Sequence, residues 1–160
     1  MNDYITRSGV KGIFLSPAFY YQNFHIFFPP KKDADNNIVF SLPYSESATL
    51  TGVDIKEIGT AVSNILKSPD EYVGKVTPVW GMHASVSDYL KQFTEATGKQ
   101  TKFEQLPQNA VGEELGNMFG FFEEYQLFGP NLDSNLQKKV NPQAKSFGEW
   151  VKETGLGSDL

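Results

Sequence analysis

The chain reads as an α/β fold, and three observations carry that reading. Strand-like apolar runs at 12–20, 38–43, 49–53, 75–80 and 101–106 alternate with segments of helical periodicity, the pattern of domains that layer helices on a sheet. The helical segments open on side-chain caps and close at glycine or proline. No repeat, low-complexity tract or linker interrupts the alternation, so it runs through a single unit.

Taken in order, Asp3, Tyr4, Ile5 and Arg7 before Gly9 read as the last turns of a helix closed by glycine. Residues 12–20, GIFLSPAFY, form an apolar run expected to be a buried strand that ends near Ser16–Pro17, because proline cannot donate to a ladder. A short helix is expected between Tyr20 and Phe28, stopped by Pro29–Pro30. KKDADNN at 31–37 is a polar surface turn with a tight bend at Asn36–Asn37, and strands follow at 38–43 and 49–53.

The next helix has the strongest local signals. Asp54 is an N-cap with Glu57 three residues on, a capping box, and Val53 and Ile58 stand at the staple positions. Ile55, Ile58, Val62, Ile65 and Leu66 make one apolar stripe, and Pro69 closes the helix. After a strand at 75–80, Ser85 and Asp88 repeat the box, Val86, Tyr89, Leu90 and Phe93 face inward, and Gly98 terminates. TKFEQL at 101–106 alternates as a strand, a longer helix runs from about Asn109 to Tyr125, and Ser146 with Glu149 caps a last one.

Composition removes several classes of function. The net charge is −5 with lysines scattered rather than clustered, so no phosphate-backbone footprint exists and no direct nucleic-acid binding is expected. The absence of cysteine excludes a disulfide scaffold, thiol catalysis and thiolate metal sites, and fits a reducing compartment. No apolar run can span a bilayer, and MNDYITRSGV has no apolar signal region, so no membrane association is expected and the cytoplasm or nucleus is the expected location.

The chemistry-bearing patterns are few. A phosphate cradle needs close-set glycines between strand and helix, whereas Gly112, Gly116 and Gly120 fall at helical spacing and predict a packing stripe. His25 and His83 are isolated, and Glu113–Glu114 and Glu123–Glu124 read as solvated helix surface, so no metal site is expected. There is no nucleophile elbow, and Tyr72 with Lys75, three apart, reads as structural. LSPAFYYQNF at 15–24 is different. It brings Tyr20, Tyr21, Gln22 and Asn23 to the carboxyl end of a strand, where ligands sit in open α/β sheets. Ring faces beside amide groups suit a planar, amide-bearing ring. Aromatic packing of a helix onto the sheet explains the same residues, and the residues alone leave both readings standing.

LSPAFYYQNF, VDIKEIGTAVSNIL, SPDEYVGK, EATGK followed by KFEQL, FSLP, EELGNMF and the closing NP-x-x-x-S-F-x-x-W run together resemble the NmrA-like proteins, atypical relatives of the short-chain dehydrogenases. The resemblance is nearest to their NADP-sensing redox-regulator branch. It implies the C-terminal portion of a Rossmann-type fold, with the N-terminal dinucleotide-binding half absent. Residues 1–28 would be the end of a Rossmann-half helix, a late sheet strand and a cleft-floor turn, and 29–160 a smaller α/β substrate or partner lobe. It further implies NADP as the cofactor family, with Pro17, Ala18, Tyr20, Tyr21, Gln22 and Asn23 against the nicotinamide side. Ser16 departs from the arginine that many relatives carry before the proline.

The function implied is that of a regulatory module that binds rather than catalyses, inert without the glycine loop, with no catalytic residue of its own. A regulatory protein partner, a link to transcription and self-association belong to the same expectation. The alternative is the substrate-pocket lobe of an NADP-dependent oxidoreductase whose catalytic residues lie upstream.

Overall fold

A computed structural model describes residues 2–128 and 132–160. Helix α1 (Asn2–Arg7) ends at Gly9, whose φ of 78° lies in the left-handed region. Extended chain then forms β1 (Phe14–Pro17) and β2 (Phe19–Tyr20), which are one continuous strand that changes partners at Ala18. After the one-turn helix α2 (Asn23–Ile26) come β3 (Lys31–Lys32), β4 (Ile38–Leu42) and β5 (Thr49–Val53). The rest is α3 (Ile55–Ile65), β6 (Val76–Val79), β7 (Met82–Ser85), α4 (Val86–Thr97), β8 (Thr101–Gln105), α5 (Glu113–Tyr125), α6 (Ser134–Val140) and α7 (Phe147–Thr154).

Three small sheets result. β1 runs parallel to β6, β2 lies parallel to β5 with β7 antiparallel beyond it, and β4 stands between antiparallel β3 and parallel β8. The strand formed by β1 and β2 therefore belongs to two sheets. It does not leave the sheet at Pro17, as the proline led us to expect: Pro17 pairs opposite Val79. Phe14 and Ala18 both donate their amides to the β6 side, at 3.3 and 3.0 Å. With a two-residue period, the nitrogen of Pro17 then faces the other edge, where β1 has no strand neighbour among the described residues. The missing N–H breaks no ladder bond there.

Helices α4 and α7 start where their capping boxes place them, and both boxes close reciprocally. They pack on one side of β5, β7 and β4 around an aromatic core that includes Tyr21, Phe24, Phe40, Phe93, Phe147 and Trp150. A second, smaller core gathers Ala18, Val53, Ala61, Ile65, Tyr72, Val79 and Val140 under α3. Tyr72 is thus core, and Lys139 lies over its ring.

Four further differences from the sequence reading have physical causes. Asp33 collects the amides of Asp35 and Asn37, and Asn36 takes a left-handed φ of 64°, so the polar turn tightens into a hairpin that recruits Lys31–Lys32 as β3. The helix expected from Asn109 breaks at Gly112, whose φ of 85° separates a 3₁₀ turn at 108–111 from α5. β7 was not foreseen, because MHAS is too short to show a period. Finally, α3 buries Glu57, Ala61 and Ile65, while Ile55, Val62 and Leu66 of the expected stripe are exposed.

Candidate functional site

Three parallel strands end together at one edge of the molecule. Tyr21 donates its amide to Val53 at 2.9 Å, Ala18 to Val79 at 3.0 Å, and Gly81 to Gly52 at 2.8 Å. Tyr20, Val53 and Trp80 therefore mark one line of carboxyl strand ends. In open α/β sheets ligand crevices lie outside such ends, at the place where strand order changes. Ala18 is the point on this line at which the strand passes from β6 to β5.

The structure separates the six residues singled out by the sequence. Pro17 is half-buried and Ala18 is buried in the smaller core. Tyr20 rests half-buried on that same core. Tyr21 points to the opposite face and is completely buried, with ring centroids 5.5 Å from both Phe147 and Trp150. Its hydroxyl donates to the carbonyl of Lys145 at 3.1 Å, so Tyr21 supplies packing. Gln22 spends both ends of its amide inside the protein: Nε2 donates to Asp54 Oδ1 at 2.6 Å, and Oε1 accepts from the amide of Ile55 at 3.1 Å. Asn23 is half-buried, as are Pro17 and Tyr20, and no side-chain hydrogen bond within the protein engages Tyr20 or Asn23 among the described residues.

Beneath this line lies a polar group that the sequence reading missed. Asp54 caps α3 through the amide of Lys56 at 3.1 Å and also lies 3.4 Å from the ammonium of Lys145. Lys145 reaches Glu153 at 2.5 Å. Glu57 does not close the expected capping box. It turns inward, where Oε1 accepts from the amide of Lys145 at 2.8 Å and Oε2 from Asn141 Nδ2 at 2.6 Å. Asn141 also donates to the carbonyl of Trp80 at 3.2 Å. The arrangement ties the start of α3 to the strand-end turn, to Trp80 and to the segment leading into α7. The Asp54–Glu57 spacing was the only signal in the sequence, and it is the same spacing that writes a capping box.

The electrostatics of the two acids diverge. Burial pushes Asp54 upward, but the Lys56 amide, the Gln22 amide and Lys145 outweigh it and hold the carboxyl below its usual range. Burial dominates at Glu57 and raises it, against the pull of Asn141 and the Lys145 amide. The bond to Glu153, more than the attraction of Asp54, raises Lys145. Together these groups form a salt-bridged, hydrogen-bonded brace.

The remaining candidates fall elsewhere. His83 sits on β7, where its Nδ1 is 2.8 Å from Thr51 Oγ1 and its ring lies 6.2 Å from Trp80; burial lowers it, which favours the neutral ring. His25 lies against Trp150, on the opposite side of the sheet from His83. Gly116 and Gly120 pack on Gln108, as a packing stripe requires, whereas Gly112 is the bend before α5. Among the described residues no group of histidines and carboxylates has the arrangement of a metal site, and no helix is long and apolar enough to cross a membrane.

Parallel strand pairs whose connections run through helices define an α/β protein. The NmrA-like family model matches residues 1–151, and the chain belongs to that family. It is 31% identical over 155 residues to an NmrA-like family domain-containing oxidoreductase of Penicillium ochrochloron, covering 84% of this chain and 45% of that protein. It is 24% identical over 157 residues to an NmrA-like family domain-containing protein of Dictyostelium discoideum, covering 91% of this chain and 50% of that protein. The chain therefore spans about half the length of these curated relatives.

Among solved structures, it superposes on NmrA, a negative transcriptional regulator, in complex with NADP. The TM-score is 0.78 at 16% identity, over 98% of this chain and 57% of that one. An NADPH-dependent quinone oxidoreductase of Escherichia coli superposes with a TM-score of 0.66 at 16% identity, over 96% of this chain and 56% of that one.

Proposed function

We propose that the chain is the C-terminal lobe of an NmrA-like, NADP-responsive regulatory protein and acts by binding rather than by catalysis. The observation that carries this reading is the convergence of the carboxyl ends of β1–β2, β5 and β6 at Tyr20–Asn23 and Trp80. Such an edge offers one wall of a cleft. Pro17, Tyr20 and Asn23 would meet the nicotinamide end of a dinucleotide, with Ala18 beneath them. Gln22 would act indirectly, by fixing the turn on Asp54.

The fit of the dinucleotide is partial. Most of its affinity comes from pyrophosphate held at a glycine loop and a helix N-terminus. Among the described residues the glycines at 116 and 120 are filled by Gln108 and make no such cradle. In this proposal the pyrophosphate is held by the dinucleotide-binding half that NmrA-like proteins carry, and the present lobe reads the nicotinamide end.

Calorimetry against NADP tests the reading. A few ring and amide contacts, each worth about 0.5–1.5 kcal/mol, must offset several kcal/mol of lost ligand freedom. The expected result is binding no tighter than roughly millimolar for this chain and no turnover. In a protein that joins it to a glycine-loop half, binding returns and is weakened by Tyr20→Ala or Asn23→Ala. Micromolar binding by the 160-residue chain would overturn the division of labour. The names of the relatives also support a second reading, a lobe that shapes the substrate pocket of an NADP-dependent reductase. Turnover in the joined protein that is altered by Trp80→Ala or Tyr20→Ala would favour it.

A further inference from the structure

Helix α5 presents to solvent a face that neither core uses. Phe119 and Gly116 point inward and are buried. On the other side Phe121 and Tyr125 are 52% and 57% exposed, one helical turn apart, with ring centroids at 5.2 Å. The pair is not loosely hung. Phe121 contacts Phe122, which contacts buried Phe119, at 6.3 Å in each case, so the exposed rings continue an aromatic ladder rooted in the core.

The same face is acidic. The helix sequence EELGNMFGFFEEY holds four glutamates and no basic residue, against a net charge of −5 for the whole chain. Glu114 lies two turns before Phe121 on the same stripe, and Glu113 and Glu124 flank it on one side. Among the described residues none of these glutamates forms a salt bridge. Two adjoining rings, tilted 34° to each other, beside carboxylates without a salt bridge suit one kind of surface. It carries apolar side chains at helical spacing for the rings and lysines or arginines for the acids.

We propose that the outer face of α5 docks a protein partner through a basic amphipathic helix. The apolar residues of that helix cover Phe121 and Tyr125, and its cations pair with Glu114 and Glu124. The proposal rests on the regulatory reading above but not on the dinucleotide edge, so the two fail separately.

The test uses the full chain and two synthetic amphipathic helical peptides of identical leucine pattern, one with lysine and one with glutamate at the polar positions. Fluorescence anisotropy is expected to give saturable binding of the lysine peptide only, and amide shift changes are expected to centre on α5. Phe121→Ala with Tyr125→Ala, at exposed positions that leave the fold intact, is expected to weaken binding at least tenfold. Glu114→Gln with Glu124→Gln should weaken it at low salt and much less at high salt. Glu46→Gln with Glu95→Gln, exposed acids elsewhere, should leave it unchanged. The proposal is overturned by any of three results: no binding of the lysine peptide, equal loss in the Glu46 and Glu95 control, or shift changes centred away from α5.

Discussion

The carboxylate of Asp54 receives the side-chain amide of Gln22 at 2.6 Å across 32 residues of sequence, and the same Gln22 returns its carbonyl to the amide of Ile55. Gln22 thus completes the cap of α3 from the strand-end turn. An N-cap alone contributes about 1 kcal/mol. Asp54 is also buried against Lys145, and removing one partner of such a pair costs more than the cap does. Asp54→Ala should therefore destabilise the protein by about 2–4 kcal/mol, read from urea midpoints at constant m. A cost of only about 1 kcal/mol would mean that Asp54 caps and does nothing else.

Glu57 and Asp54 should respond to pH in opposite directions. Glu57 is raised in the fold above its ordinary value of 4.5, so the folded state binds its proton more readily than the unfolded state does. Stability linked to it is highest below 4.5 and declines as pH rises through the folded value. Asp54 is lowered below 3.8, so its contribution is full above 3.8 and lost as pH falls through its folded value. Glu57→Gln removes only the first effect. The stability of this variant relative to the parent should climb from pH 4.5 upward, as followed by urea melts across that range. A constant difference would show that Glu57 titrates alike in both states.

Gly116→Ala sets two effects against each other. Alanine is the better helix former by about 1 kcal/mol. An added Cβ, however, would stand 2.4 Å from the carbonyl oxygen of Gln108, which is backbone and cannot rotate away. Overpacking of that kind costs about 1–3 kcal/mol, so net destabilisation is expected in thermal or urea unfolding.

Exposed apolar surface should make the chain self-associate. Leu66 is 61% exposed at the end of α3, beside exposed Val62, Val76 is 55% exposed at the start of β6, and among the described residues β1 has one unpaired edge. Light scattering should show mass that rises with concentration, and Leu66→Lys with Val76→Lys should shift the chain toward monomer. A concentration-independent monomer in the parent would remove this expectation.

How much was legible in the sequence depended on how local the deciding contact is. Ser85 with Asp88 and Ser146 with Glu149 settle their helix starts within four residues, and the structure keeps both boxes. Asp54 with Glu57 carries the same signature, yet Glu57 answers to Asn141 and Lys145, 84 and 88 residues away. The choice of Tyr21 for the core and Tyr20 for the edge follows from alternation along a strand, but only once the strand is known to continue past Pro17. Trp80 gave no sign of its place, because its neighbourhood is made by three strand ends from distant parts of the chain. The family resemblance was visible because its motifs follow one another in order along the chain.

The long reach of Lys145 also sets an order on the birth of the molecule. Asp54 and Glu57 leave the ribosome 91 and 88 residues ahead of the lysine that satisfies them. At about 5–20 residues per second this leaves them in water for several seconds or more. During that interval α3 has its cap from Gln22 but an unpaid acid on its inner face, so the strand-end turn can form early while docking of the helix waits for the last stretch of chain. Translation that stops before Lys145 would also leave out Phe147 and Trp150, so Tyr21 would lose both of these ring partners and Phe24 that of Phe147, together with the brace.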